Sequence, residues 1–255
     1  MKNMKNKTAL AIGAHPDDVE IFGAGTLALL KDKGWEIAIA TMTAGDVGSV
    51  ELSQDEISEV RKREAKNAAD LLNASYDCMD CEDIFISYDR PTLLKVIKLI
   101  REVKPDIVFS MSPQDYMIDH EMTSQIVRTA CFSTGITLIK TDEIDVLDQI
   151  PHLYYYDPME CKDIYGNLVP ASIRVDITPV MDQKEKMLAC HSSQRSWLKE
   201  HHGIDEYIIA MKKFSEIRGR EIGVTYAEGF RQHLGHAYPQ DNILENELGK
   251  LVYIK

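Results

Sequence analysis

Apolar and polar positions fall into alternating blocks along the first half of the chain, short apolar runs followed by longer stretches of helical period. Thr8–Gly13 is an apolar run of the kind seen in strands covered on both faces. Residues 21–33 carry a helical apolar pattern that Gly34 ends. A second apolar run at 36–42 predicts another strand, closed by the glycine-containing loop 43–49. From about 54 to 73, Ile57, Val60, Ala65, Ala68, Leu71 and Leu72 approximate a helical apolar period and predict a long amphipathic helix. Residues 77–86 read as irregular or as a short strand, and 91–103 as an amphipathic helix stopped before Pro105. A strand at 106–111 and a helix at 120–132 follow. Further on come strands at 152–156 and 172–177 and helices near 179–190 and 204–219.

Alternation of this kind predicts an α/β fold: a single Rossmann-like domain with a mostly parallel sheet flanked by helices. No internal repeat or low-complexity linker divides residues 1–255, so the chain reads as one domain with its core at roughly 8–220 and a C-terminal tail at 221–255. The formal charge of -12 and pI near 5.1 argue against nucleic acid or an anionic membrane surface as partner. No apolar run approaches the ~18 residues of a membrane span. Lys2, Lys5 and Lys7 ahead of the first strand mimic a secretion signal. Its apolar part is short, however, and cleavage would fall against His15, so this reading is rejected. Five cysteines, an odd number without regular spacing, do not form a disulfide framework. Cys78 and Cys81 make a lone C-x-x-C without a second pair, and a reducing cytoplasm is the expected location.

Chemistry concentrates after the first strand, in Ala14-His15-Pro16-Asp17-Asp18-Val19-Glu20. His15 and Asp18 are spaced so that one turn can aim both at a single point, with Asp17 expected to point elsewhere. A divalent metal needs such a pair as ligands, and a water bound to it needs a nearby carboxylate as proton acceptor. Helix capping by Asp17 or Asp18 explains one aspartate but not the whole group. In open α/β sheets, binding sites form beyond the carboxyl ends of the strands. Asp46 lies in the loop after the second strand, and His120, with Asp115 and Asp119 beside it, follows the strand at 106–111. These positions converge on one edge if their strands are neighbours.

Together these motifs resemble the LmbE-like (PIG-L) family of zinc-dependent N-acetylglucosamine deacetylases. His15-Pro16-Asp17-Asp18 with Gly23-Ala24-Gly25-Thr26 looks like the family's opening motif, and Thr43-Ala44-Gly45-Asp46 like its Thr-x-Gly-Asp/Glu loop. Arg61-Lys62-Arg63-Glu64-Ala65 looks like its Arg-x-x-Glu-Ala helix, and Asp115-Tyr116-Met117-Ile118-Asp119-His120 like its Asp-Tyr-His-Pro-Asp-His segment. His191-Ser192-Ser193-Gln194 resembles its His-x-Ser-Gln. The matches span roughly residues 8 to 235. Met117 and Ile118 depart from the family pattern, standing where His and Pro are usual.

The resemblance implies that His15, Asp18 and His120 hold one Zn²⁺ or another divalent metal. Asp17 would be general base and then acid, and Asp119 a carboxylate orienting a ring. The implied substrate is a small N-acetylated sugar that loses acetate. Arg61, Asp46, Asp89 and Met117 are the substrate-side candidates, with N-capping of the following helix an equal reading of Asp89. Trp197 is a possible stacking platform, and His201-His202 receives no chemistry. Met117 cannot donate the hydrogen bond that the family's histidine supplies to the oxyanion. The replacement donors considered are His233 and His236, in a tail expected to complete a site in its own or a neighbouring subunit of a homo-oligomer. Two other readings stay open: a metal-binding protein of this fold with lost or altered activity, and a Rossmann-type ligand-binding module suggested by Gly23-Ala24-Gly25. A serine hydrolase is disfavoured, since no Gly-x-Ser-x-Gly elbow occurs.

Overall fold

Eight strands appear in the computed structural model, which describes residues 6–194 and 206–254: β1 (Thr8–Gly13), β2 (Glu36–Thr43), β3 (Ser75–Cys81), β4 (Ile107–Ser110), β5 (His152–Tyr156), β6 (Ile173–Asp176), β7 (Ala227–Gln232) and β8 (Val252–Ile254). They form one sheet in the order β3-β2-β1-β4-β5-β7-β6-β8. The five strands from β3 to β5 are parallel, and β7, β6 and β8 add antiparallel pairs. β1 is central: Ala9 pairs with Ile37 on one side and with Ile107 on the other. Leu10, Ile12, Val108 and Leu153 are fully buried, as expected of strands packed on both faces.

The flanking helices are α1 (Asp18–Phe22), α2 (Ala24–Asp32), α3 (Gln54–Asp70), α4 (Arg90–Val103), α5 (Ile118–Ser133), α6 (Met181–Leu188), α7 (Glu206–Ile222) and α8 (Ile243–Leu248). α4 packs with α5, while α1, α2 and α3 pack with α6. The helix predicted at 21–33 is two helices, broken at Gly23. Gly23 leaves the helical region at φ -142, and any Cβ there would collide with the Tyr156 ring. Residues 77–86 resolve into β3, shifted toward the N-terminus and followed by a loop.

The predicted tail at 221–255 is corrected most. It contributes β7, inserted between β5 and β6, and the edge strand β8. β7 lacks an apolar alternation because Glu228 within it is buried for electrostatic reasons. Its carboxylate accepts hydrogen bonds from the Gly25 and Thr26 amides at 2.9 and 2.7 Å and pairs with the fully buried Lys184 ammonium. All five cysteines are free thiols, and among the described residues no helix is long and apolar enough to cross a membrane.

Candidate active site

β1, β2 and β4 are neighbours, so the segments after their carboxyl ends meet at one edge of the sheet. Asp18, in the first turn of α1, folds back on the turn before it: its Oδ2 accepts from the Ala14 and His15 amides at 2.9 and 2.8 Å. Oδ1 lies 3.3 Å from His120 Nε2, and His15 Nδ1 lies 3.5 Å from Oδ2. Ligand atoms of His15, Asp18 and His120, all three buried, lie within 4.8 Å of one another.

Each ring turns its other nitrogen to a carboxylate. His15 Nε2 is 3.0 Å from Asp83 Oδ1 and 3.3 Å from Asp119 Oδ2, and His120 Nδ1 is 3.1 Å from Asp115 Oδ2. Asp119 therefore faces His15 rather than its own neighbour His120, because successive residues of a helix point in different directions. Ile84, a β-branched residue at φ 72, donates its amide to Asp119 Oδ2 at 2.7 Å. Two imidazole nitrogens and a carboxylate oxygen, buried together with each ring braced from behind, form a donor set that fits a divalent cation.

The charges are strongly mutual. Burial alone would depress the imidazoles, but Asp18 and Asp115 outweigh it at His120 and push its pKa up to about 10. His15 is likewise raised well above its ordinary value, with Asp119, Asp18 and Asp83 overcoming the effect of burial. Burial would raise Asp18, yet His120 and His15 hold it far below the usual carboxylate range.

Asp17 points away from the donor cluster, as expected, yet stays in the pocket. It sits in the left-handed region at φ 109, and that backbone turn puts its carboxylate in the same pocket, of about 320 Å³, as His15, Asp18 and His120. Its Oδ2 accepts from Arg61 Nη2 at 3.2 Å and from the Tyr207 hydroxyl. Burial raises the Asp17 pKa, against the lowering effect of Arg61. Arg61 is buried and fixed, with Nη2 on the Pro16 carbonyl at 2.8 Å and Nη1 on the Gly45 carbonyl at 3.3 Å. Gly45, at φ 68, is required because a Cβ would overlap the guanidinium. One turn further along α3, Glu64 accepts from the Ser192 and Ser193 hydroxyls at 2.7 and 2.6 Å and from the Ser193 amide at 2.8 Å. The helix motif and the His191–Gln194 motif thus lock together behind the pocket.

Of the other sequence candidates, Met117 lines the pocket and Arg61 anchors Asp17. Asp46 instead accepts the Asp83 amide at 3.0 Å, holding the loop that carries Asp83. Asp89 is the N-cap of α4, accepting from the Thr92 amide at 2.8 Å, and is exposed. Neither lines the pocket. His233 and His236 are also displaced from it. β7 runs antiparallel to β5, so its end reaches the opposite edge of the sheet. There the His233 amide bonds the Leu153 carbonyl at 2.8 Å, and its ring packs on Tyr238 at 4.2 Å. His236, exposed in the next loop, lies beyond it. The tail therefore does not complete the site of its own chain. Gly23-Ala24-Gly25 forms no phosphate cradle either, because Glu228 occupies the amides at the start of α2. Trp197, His201 and His202 lie outside the described residues.

Asp83 and Tyr207 are missing from the sequence reading. Asp83 sits in a segment without periodicity, and Tyr207 in a helix far from every motif, so neither carried a local signal. Exposed apolar side chains also line the pocket: Val47 after β2, Ile84 after β3 and Tyr116 after β4.

Residues 10–131 match the family model described as PIG-L: GlcNAc-PI de-N-acetylase. The chain is 26% identical over 245 residues to 4-oxalmesaconate hydratase of Pseudomonas putida, covering 90% of each chain. It is 25% identical over 204 residues to a probable N-acetyl-alpha-D-glucosaminyl L-malate deacetylase 2 of Bacillus anthracis, covering 76% of this chain and 83% of that protein. Among solved structures, N,N'-diacetylchitobiose deacetylase from Pyrococcus horikoshii superposes with a TM-score of 0.77 at 26% identity, over 93% of this chain and 88% of that one.

Proposed function

The chain belongs to the PIG-L (LmbE-like) family, whose relatives include deacetylases and hydratases, and from that premise we propose that it is a metal-dependent hydrolase removing the N-acetyl group from an N-acetylglucosamine-type sugar or glucosaminide conjugate. The observation that carries the reading is the side-by-side arrangement of a buried His15–Asp18–His120 donor set and a separate carboxylate, Asp17, with one oxygen tethered. A divalent metal held by His15, Asp18 and His120 supplies Lewis acidity, polarising the acetyl carbonyl and acidifying water. Mixed N/O donors accept zinc, iron or another such ion.

Asp17 supplies the proton traffic. It accepts a proton from the attacking water as the new C–O bond forms, then returns it to the amide nitrogen as the C–N bond breaks, so acetate and a free amine leave. Arg61, bonded at once to Asp17, Pro16 and Gly45, keeps that carboxylate and the turn behind it in register.

A second reading is hydration of a carbon–carbon double bond, favoured by the chain-long likeness to the Pseudomonas hydratase and by Met117, which offers no oxyanion donor. The electrostatics weigh against an anionic substrate. Arg61 is the only Arg or Lys among the described lining residues, and its bonds are already made, while Asp17, Asp18 and Asp83 face the same pocket. A neutral amide fits better. The apolar mouth further favours glucosaminides with an apolar aglycone over the free sugar.

The test is acetate release from a panel of N-acetylated sugars and their aryl and alkyl glycosides, before and after chelation and metal reloading. Asp17→Asn is expected to keep the metal and lower kcat by about 10² or more, whereas Asp18→Asn loses the metal first. Hydration of an unsaturated acid by the loaded protein, with no acetate from any amide, would transfer the assignment to the second reading.

A further inference from the structure

Tyr207, the second residue of α7, comes from a helix that carries none of the site motifs, yet its hydroxyl donates to Oδ2 of Asp17. We propose that Tyr207 is a positioning residue for Asp17: with Arg61 it saturates Oδ2 and fixes the carboxylate so that Oδ1 is the oxygen left for proton transfer. The inference rests on Asp17 being the proton acceptor.

The backbone, the contacts of the carboxylate and the place of the phenol support it. Asp17 holds a left-handed backbone conformation at φ 109 directly after Pro16, an arrangement costing on the order of 1–3 kcal/mol that surrounding contacts must enforce. The terminal torsion of an aspartate is broad and nearly two-fold, so a single hydrogen bond does not fix which oxygen faces a substrate. Arg61 holds Oδ2 through one bond, its Nη2 at 3.2 Å, and shares that nitrogen with the Pro16 carbonyl at 2.8 Å. The phenol arrives from a different element, α7 rather than α3, and grips Oδ2 from a second direction. No described residue donates to Oδ1. Burial and the Asp17 charge keep the phenol protonated, as a donor must be. Tyr207 also lines the pocket itself, so its ring shapes the wall beside the carboxylate it orients.

Tyr207→Phe removes the hydroxyl and keeps the ring, which separates positioning from packing. Zinc-loaded wild type, Tyr207→Phe, Asp17→Asn and the double variant are compared for metal content and for acetate release from 4-nitrophenyl N-acetyl-β-glucosaminide. Metal content is expected to stay at wild-type level in Tyr207→Phe, with kcat reduced by about 10–100-fold and KM within about two-fold. In the Asp17→Asn background the same change should alter kcat by less than about two-fold, because its effect runs through Asp17. Equal losses in both backgrounds, or no loss in either, would overturn the proposal. A crystal structure of zinc-loaded Tyr207→Phe decides independently of turnover, even if wild type releases no acetate and the hydrolase reading falls. The Asp17 carboxylate should rotate or split between two orientations while His15, Asp18 and His120 stay in place. One unchanged orientation would refute the inference.

Discussion

Asp17 and Asp18 are adjacent in sequence and opposite in task, and the difference is made by one backbone dihedral. Asp18, inside α1, turns back to the Ala14 and His15 amides and is shared with both imidazoles, so it is held ionised. Asp17, at φ 109, faces Arg61 and Tyr207 instead, and burial lifts its pKa. The two histidines carry a testable consequence. Both imidazoles are raised by the carboxylates around them, His120 to about 10, so the protonated form is favoured at both. Metal needs them neutral and must displace those protons. Affinity should therefore increase as pH rises from 6 toward 10, and binding at pH 7 should release protons. Calorimetry of metal titrations in buffers of different ionisation enthalpy measures their number. Zero release would mean that the surrounding carboxylates do not hold the rings charged.

At the scale of elements, the site depends on buried polar connections between segments far apart in sequence. The start of α2 has no side-chain cap from its own N-terminal residues; its amides are satisfied by Glu228 from β7, and Lys184 of α6 neutralises that carboxylate. Lys184→Met should cost about 3–5 kcal/mol, because it leaves a buried carboxylate unpaired. Denaturant unfolding of the variant measures the loss, and a cost below about 1 kcal/mol would show that water reaches Glu228. This coupling also explains what was legible in the sequence. β1 and β5 were located to the residue because an unbroken apolar run and a run of Leu and Tyr mark buried strands. His15 and Asp18 are legible through their spacing and His120 through its segment's resemblance to the family, and the structure brings the three together. β7 carries no local signal because its Glu228 is held by amides over 200 residues away and its Gly229 makes room for the Asp157 carboxylate, and a local pattern cannot encode either. Asp46 reads as a sugar contact and Asp89 equally as a sugar contact or an N-cap, because a loop carboxylate looks the same in sequence whether it meets a ligand, an amide in the next loop or the start of a helix; Asp89 is the N-cap.

For the whole molecule, topology decides which surfaces can cooperate. Parallel strands from β3 to β5 put the metal donors and the apolar loops after β2, β3 and β4 on one edge, while β7 carries His233 and His236 to the other. A tail residue can then reach a donor set only in another copy of the chain. Exposed Val47, Ile84 and Tyr116 line the pocket, and apolar groups gathered in this way mark a surface that meets a substrate, a partner or both. The net charge of -12 opposes association through general repulsion, so contact between copies must come from such local apolar areas rather than from charge complementarity. On this basis a homo-oligomer is expected in solution. Multi-angle light scattering at assay concentration should give a mass that is a multiple of 28.9 kDa. Dilution to monomer should lower specific activity if the apolar mouth is shaped by a neighbour. A strictly monomeric species with full turnover would refute the assembly and leave the apolar mouth to the substrate alone.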